Sequence, residues 1–253
     1  MHWVHMTGAG NEFVVIDARN QTLDLAALAK SLCAQVCADG FMAIDTSEVA
    51  DFRLHFYNAD GTRADMCGNG SRCICRFAYD WGVAREQMTV ETDAGIVYGW
   101  RISEKIYRVR LTEPKLIHLD RKPGVDYVEC GVPHALKPLP DLSWQQKDAL
   151  RQQAVALRYD PAFPAGANVT FYDLLAEGEV RVLSYERGVE DYTLACGTGC
   201  GSLAVALYAA GKLPGKKLTA HNMGGTLQVD IEADGANITG VYLQGPAEYL
   251  SNK

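Results

Sequence analysis

The sequence predicts an α+β protein of two pseudo-symmetric halves, each a mostly strand unit curled round a central helix. Three observations carry this reading. A Cys-Gly-x-Gly turn followed by an apolar run occurs twice, at Cys67-Gly68-Asn69-Gly70 and at Cys196-Gly197-Thr198-Gly199. Short β-rich segments flank both copies in the same order. The second run, Leu203 to Leu207 and Ala210, is apolar nearly all round, as expected for a helix enclosed by a sheet.

The first half begins with a β-rich run at Phe13–Ile16 and a helix at Leu25–Cys37. The strand candidate Phe52–Tyr57 leads into the first Cys-Gly-x-Gly turn. A helix follows over Ser71–Trp81, with Cys73, Ile74, Phe77, Ala78 and Trp81 on roughly one face, and Gly82 as its stop. Thr89–Thr92, Ile96–Ile102 and Tyr107–Leu111 are further short strands. The second half repeats this script: a helix at Gln145–Leu157, strands at Asn168–Leu174 and Val180–Tyr185, a helix at Cys200–Ala210 stopped by Gly211, and strands at Thr226–Ile231 and Ile238–Leu243. DFRLHFYN matches EVRVLSYER, TVETDAG matches TAHNMGG, and VRLTEP matches VYLQGP, always in the same order. The boundary falls near residues 115–120.

With 253 residues, 48% hydrophobic, the chain can bury roughly 70–75% of its unfolded surface without disulfide or metal support. Its 24 Lys+Arg against 31 Asp+Glu give a net charge of −7, which argues against a nucleic-acid or anionic-membrane partner. No apolar run reaches the ~18–20 residues of a membrane span. The segment MHWVHMTGAGNEF lacks a basic stretch followed by an apolar one, so a cytoplasmic location is expected. The eight cysteines lie at positions 33, 37, 67, 73, 75, 130, 196 and 200, without the ligand spacing of a zinc site. Cys33, Cys37, Cys73, Cys75, Cys130 and Cys200 read as small buried hydrophobes.

The two repeated turns are where chemistry is expected. The first N–H groups of a helix lack internal partners and form a site suited to a carboxylate. A cysteine at that end should have its thiolate favoured. Two such thiols in pseudo-symmetric halves suit inversion of a carbon centre: one thiolate removes an α-proton, and the other thiol returns one to the opposite face.

The chain resembles the diaminopimelate epimerase family, the cofactor-independent two-cysteine enzymes of lysine and peptidoglycan precursor synthesis. The motifs are Gly10-Asn11-Glu12-Phe13, Phe56-Tyr57-Asn58-Ala59-Asp60-Gly61, Cys67-Gly68-Asn69-Gly70-Ser71-Arg72-Cys73, Gly131-Val132-Pro133-His134, Gly166-Ala167-Asn168-Val169, Tyr185-Glu186-Arg187-Gly188, Ala195-Cys196-Gly197-Thr198-Gly199 and Gly245-Pro246-Ala247. The resemblance implies two domains, each a barrel-like, mostly antiparallel sheet around a central helix. They would be residues 1–117, joined by a returning strand at 244–253, and residues 118–243.

It also implies roles. Cys67 and Cys196 would be the acid–base pair. Gly68, Asn69, Gly197 and Thr198 would bind the reacting carboxylate. His134 and Glu186 would contact the reacting end and set proton positions. Arg187 would clamp a distal carboxylate, and Asn11, Asn58 and Asn168 would bind the distal amino-acid group. No metal and no cofactor are expected. The partner is a small amino-acid substrate, and a homodimer is an allowed assembly.

Val132 stands where the family's commonest form has asparagine. It keeps open a racemase of another polar amino acid, such as histidine. A thiol or metal-binding module built on the cysteine-rich loops is the reading from a different class. A pyridoxal phosphate enzyme is weaker, because no phosphate-binding loop stands beside a candidate Schiff-base lysine.

Overall fold

The computed structural model describes residues 2–64 and 67–252. In chain order its elements are β1 (Trp3–Gly8), β2 (Asn11–Asp17), α1 (Leu25–Val36), β3 (Gly40–Asp45), β4 (Phe52–Asn58), α2 (Gly68–Asp80), β5 (Gln87–Thr92), β6 (Gly95–Arg101) and β7 (Ile106–Arg110). They continue as β8 (Leu116–Lys122), β9 (Val125–Cys130), β10 (Val132–Pro138), a 3-10 turn (Trp144–Gln146), α3 (Lys147–Arg158), β11 (Asn168–Ala176) and β12 (Glu179–Glu186). The last are β13 (Asp191–Thr193), α4 (Gly197–Ala209), β14 (Lys217–Asn222), β15 (Gly225–Asp234), β16 (Asn237–Pro246) and β17 (Glu248–Asn252).

Two compact units result: Met1–Arg110 with Gln244–Lys253, and Leu111–Leu243. The first division thus falls at Arg110/Leu111. A boundary at 117/118 would cut through β8, whose Ile117 and His118 pair with Val128 and Tyr127 of β9.

In the first unit β17 and β2 flank β1 antiparallel, β2 and β3 run parallel, β3 and β4 antiparallel, β4 and β5 parallel, and β5, β6 and β7 antiparallel. In the second unit the same order of pairings recurs: β8 and β9, then β9 and β10, antiparallel, β10 and β11 parallel, β11 and β12 antiparallel, β12 and β14 parallel, β14 and β15 antiparallel. The repeat visible in the sequence is therefore a repeat of hydrogen-bond topology. Each parallel step is a crossover that needs a long connection. α1 or α3 fills one and α2 or α4 the other. α2 touches β1, β2, β3, β6 and β7, while α4 touches β8, β9, β10, β11, β14 and β15. Each sheet thus curls round its helix.

Both central helices start at the first glycine of the turn, not at Ser71 and Cys200 as expected. Cys67 and Cys196 are their N-caps, with extended backbones, and their carbonyls accept the Ser71 and Cys200 N–H groups. Glycine costs little in a first turn, whose N–H groups have no intrahelical partners in any case. Gly82 and Gly211, at φ +66 and +69, end the helices as expected.

α4 is apolar and buried from Leu203 to Leu207. α2 is also buried nearly all round, although its apolar stripe covers only one face, because Arg72 and Arg76 lie inside the unit. Arg72 Nε donates to Pro246 O at 3.2 Å and Nη1 to Gly68 O at 3.3 Å. Arg76 Nη1 donates to Ala247 O at 2.6 Å, with its guanidinium 4.8 Å from the Tyr249 ring. The two arginines bind the returning chain to the helix. Arg76→Met leaves the Ala247 carbonyl without this charged donor, at a cost of about 1–3 kcal/mol. The melting temperature is expected to fall by about 2–10 °C, by calorimetry. An unchanged value would show that Arg72 and the pairing of β17 with β1 hold the segment without Arg76.

Cys33, Cys73, Cys75, Cys130 and Cys200 are buried, as expected for small hydrophobes. Burial pushes the Cys73, Cys75 and Cys130 thiols up to about 12. Cys37 departs from this: it is the exposed C-cap of α1, at φ 56.

Candidate active site

In the first unit Phe13 of β2 pairs with Gly40 of β3, and Gly40 with Asn58 of β4. Asn11, Asp39 and Asn58 therefore gather at one end of the sheet. Asn69 Nδ2 donates to Asn11 Oδ1 at 2.6 Å, which joins β2 to the first turn of α2. Asn11 Nδ2 donates in turn to Asp39 Oδ2 at 3.3 Å, which also accepts the Glu12 N–H at 2.9 Å. Cys67, Gly68, Asn69 and Asn11 thus form one group. Asn58 stands apart from it: its Nδ2 donates to Thr62 Oγ1 at 3.0 Å within the turn after β4. Asp39 carries no functional signal in the sequence, because an Asp-Gly pair there reads only as turn chemistry.

In the second unit His134 of β10 pairs with Asn168 of β11, and Val169 with Tyr185 of β12. That register brings His134, Asn168 and Glu186 to the corresponding end of the sheet, beside the first turn of α4. His134 is fully buried, with Nε2 3.0 Å from Thr198 Oγ1 and Nδ1 3.1 Å from Thr170 Oγ1. A Cβ on Gly199 would lie 3.1 Å from Thr170 Oγ1 and 3.2 Å from His134 Cε1, so glycine lets the imidazole rest on the helix. Thr198 Oγ1 is 3.5 Å from Cys196 Sγ. Glu186 accepts a hydrogen bond from the Thr193 hydroxyl and another from Cys196. The Arg187 backbone N–H donates to Asn168 Oδ1 at 2.7 Å, while its guanidinium donates to Ala165 O at 2.9 Å on an exposed side chain.

The electrostatics of this half correct one expectation. At Cys196 the helix end does not prevail: burial, then the Glu186 carboxylate, hold the thiol well above its ordinary value, against the Thr198 hydroxyl and the Gly199 N–H. The resting side chain is a thiol. Burial also raises the Glu186 carboxyl, opposed by its hydrogen bonds from Thr193 and Cys196. Burial, helped by the Arg187 charge, lowers His134 to about 3, so its ring is neutral. Cys67 is half-buried. Thr170 and Thr193 carried no sequence signal, since a threonine in a strand is ordinary β composition.

Among the described residues no three His, Cys, Asp or Glu side chains converge as a metal cluster. Nor is any helix of the described residues long and apolar enough to cross a membrane.

The family model described as diaminopimelate epimerase matches residues 3–117 and 127–250. The diaminopimelate epimerase of Flavobacterium psychrophilum is 29% identical over 249 residues, covering 96% of this chain and 95% of that one. That of Aquifex aeolicus is 34% identical over 258 residues, covering 92% and 91%. That of Chlorobaculum tepidum is 32% identical over 260 residues, covering 96% of both. Among solved structures, a Bacillus anthracis phenazine biosynthesis protein of the PhzF family superposes with a TM-score of 0.74 at 16% identity, covering 100% of this chain and 98% of that one. A hydroxyproline epimerase from Agrobacterium vitis also gives 0.74, at 17% identity, with 100% and 90% covered. These two likenesses show the fold, two units of sheet around a helix, while the matches in sequence show the lineage: the chain belongs to the diaminopimelate epimerase family.

Proposed function

We propose that the chain is an isomerase that interconverts LL- and meso-2,6-diaminopimelate by cofactor-independent inversion of one α-carbon, in lysine and peptidoglycan precursor synthesis. The observation that carries this is the pair of cysteines that cap the equivalent helices of two topologically repeated units. Cys67 and Cys196 serve opposite faces of the α-carbon. One sulfur, as thiolate, takes the α-proton and leaves a carbanion; the other, as thiol, gives its proton to the opposite face and becomes the thiolate. The reverse direction exchanges their roles.

The resting Cys196 thiol suits the proton-giving role, and Glu186 beside it stabilises the thiol form by accepting its hydrogen bond. The first-turn N–H groups of α2 and α4, which have no acceptor one helical turn before them, bind the α-carboxylate, which also withdraws charge from the developing carbanion. Asn11, Asn69 and Asn168 hold the amino-acid groups, and the exposed Arg187 guanidinium takes the distal carboxylate as a bidentate pair. The reaction uses a free small molecule in the cytoplasm. A homodimer is compatible with it, and sedimentation decides the assembly.

The test is exchange of the α-proton for deuterium by the dialysed, reduced protein, with diaminopimelate and a panel of single amino acids that includes histidine. Exchange and inversion of diaminopimelate without added metal or pyridoxal phosphate are expected. Exchange of histidine alone would give Val132 the decisive role and make the chain a racemase of another amino acid. In the same assay, Arg187→Met is expected to raise the KM for diaminopimelate about 30-fold or more, from loss of a charge pair worth at least about 2 kcal/mol. A change under tenfold would mean that Arg187 does not hold the far end.

A further inference from the structure

Each nitrogen of the buried His134 ring faces a hydroxyl, Nδ1 that of Thr170 and Nε2 that of Thr198. A hydroxyl donates or accepts, so these two contacts fit either neutral tautomer. Asn168 breaks the tie. Its Oδ1 accepts the Arg187 backbone N–H at 2.7 Å, which turns its NH2 group toward His134 Nε2 at 3.3 Å. A flipped amide would set NH2 against that N–H. With an amide donor aimed at it, Nε2 presents a lone pair, and the ring proton sits on Nδ1, donating to Thr170 Oγ1.

We propose that Thr170 is a positioning residue of the site: it accepts the Nδ1–H of the tautomer that Asn168 selects, so that the Nε2 lone pair, shared between the Asn168 amide and the Thr198 hydroxyl, holds the Thr198 proton away from Cys196 until that thiol ionises. Thr170 is fully buried on β11, one strand from His134, and Gly199 leaves room for both beside the helix. Thr198 has one hydroxyl proton and two rival acceptors. At rest the imidazole nitrogen at 3.0 Å outbids a neutral thiol sulfur at 3.5 Å. When Cys196 gives up its proton to the substrate carbon, the new charge on sulfur reverses the contest, and the hydroxyl rotates to the thiolate. No covalent bond of Thr198 or His134 changes. The link to Cys196 rests on the proposed function; the tautomer does not.

The experiment is a two-bond proton–nitrogen correlation spectrum of the 15N-labelled full chain at neutral pH, with the His134 signals assigned by their loss in His134→Gln. A pyridine-type Nε2 and a pyrrole-type Nδ1 are expected. Thr170→Val, equal in shape but without an acceptor, is expected to move the ring toward the Nε2–H tautomer. It should lower kcat for diaminopimelate about tenfold, the rate equivalent of about one net hydrogen bond, with KM within about twofold. Thr170→Ser should restore both. An Nε2–H tautomer or an imidazolium in the unsubstituted protein overturns the proposal, as does Thr170→Val with an unchanged spectrum. If Thr170→Val does not fold, the first spectrum and Thr170→Ser still decide. The expected spectrum in a protein that inverts no amino acid would uphold the tautomer and overturn the proposed reaction instead.

Discussion

Cys67→Ser and Cys196→Ser are each expected to lower inversion of diaminopimelate by about 10²–10⁴-fold, the usual worth of one positioned acid or base. Serine is a far weaker acid than cysteine, so it cannot serve as a ready base at neutral pH, though it still donates or relays a proton. Elimination from a β-halogenated analogue separates the two thiols, because it needs one deprotonation and no returned proton. Cys67→Ser should keep elimination from the isomer whose α-hydrogen faces Cys196 and lose it from the other. Cys196→Ser should show the reverse. The units differ in one respect that adds a second measurement. Cys196 is buried and held as a thiol, while Cys67 is half-buried, so iodoacetamide at neutral pH should label Cys67 before Cys196. Equal loss of both eliminations in both variants would make the thiols structural. Near-normal inversion in both would remove the two-base mechanism.

The second large effect is on stability in acid. His134 is buried as a neutral ring with its folded-state value lowered from 6.5 to about 3. Below pH 6.5 the unfolded chain takes up a proton at this site and the folded one does not. The contribution is fully present above about pH 6.5 and is lost as the pH falls toward about 3, at a slope of about 1.4 kcal/mol per pH unit. His134→Gln has no proton to gain. Urea unfolding between pH 7 and pH 4 should therefore show a shallower loss of stability in the variant, by about 3 kcal/mol over that range. Parallel slopes would mean that the ring is charged or solvated in the folded protein. The ring whose burial sets this slope is the one whose tautomer Asn168 and Thr170 govern, so acid unfolding and the nitrogen spectrum probe one side chain from two sides.

Much of this was legible in the chain because its two halves repeat. The α+β class, the paired helices and their glycine stops, and both Cys-Gly-x-Gly turns followed from periodicity and from internal matches alone, since a turn that needs glycine and a helix that needs an apolar surround leave local marks. The strands β1, β3, β9, β10 and β14 left weaker ones. Their partners, not their composition, define them; β10 contains Pro133 and Pro138 and still pairs on both sides. Tertiary structure alone decided that Arg72 and Arg76 lie inside the first unit, since their partners are backbone carbonyls of residues 246 and 247 at the far end of the chain. It decided that Asn58 hydrogen-bonds within its own turn, and that Asp39, Thr170 and Thr193 lie within hydrogen-bond distance of Asn11, His134 and Glu186. It also decided the charge state of Cys196. A helix N-terminus, readable in sequence, favours a thiolate, but burial and the facing Glu186 outweigh it. Desolvation and the sign of a neighbouring charge depend on what folds against a residue, and a linear chain does not carry that information at the residue itself.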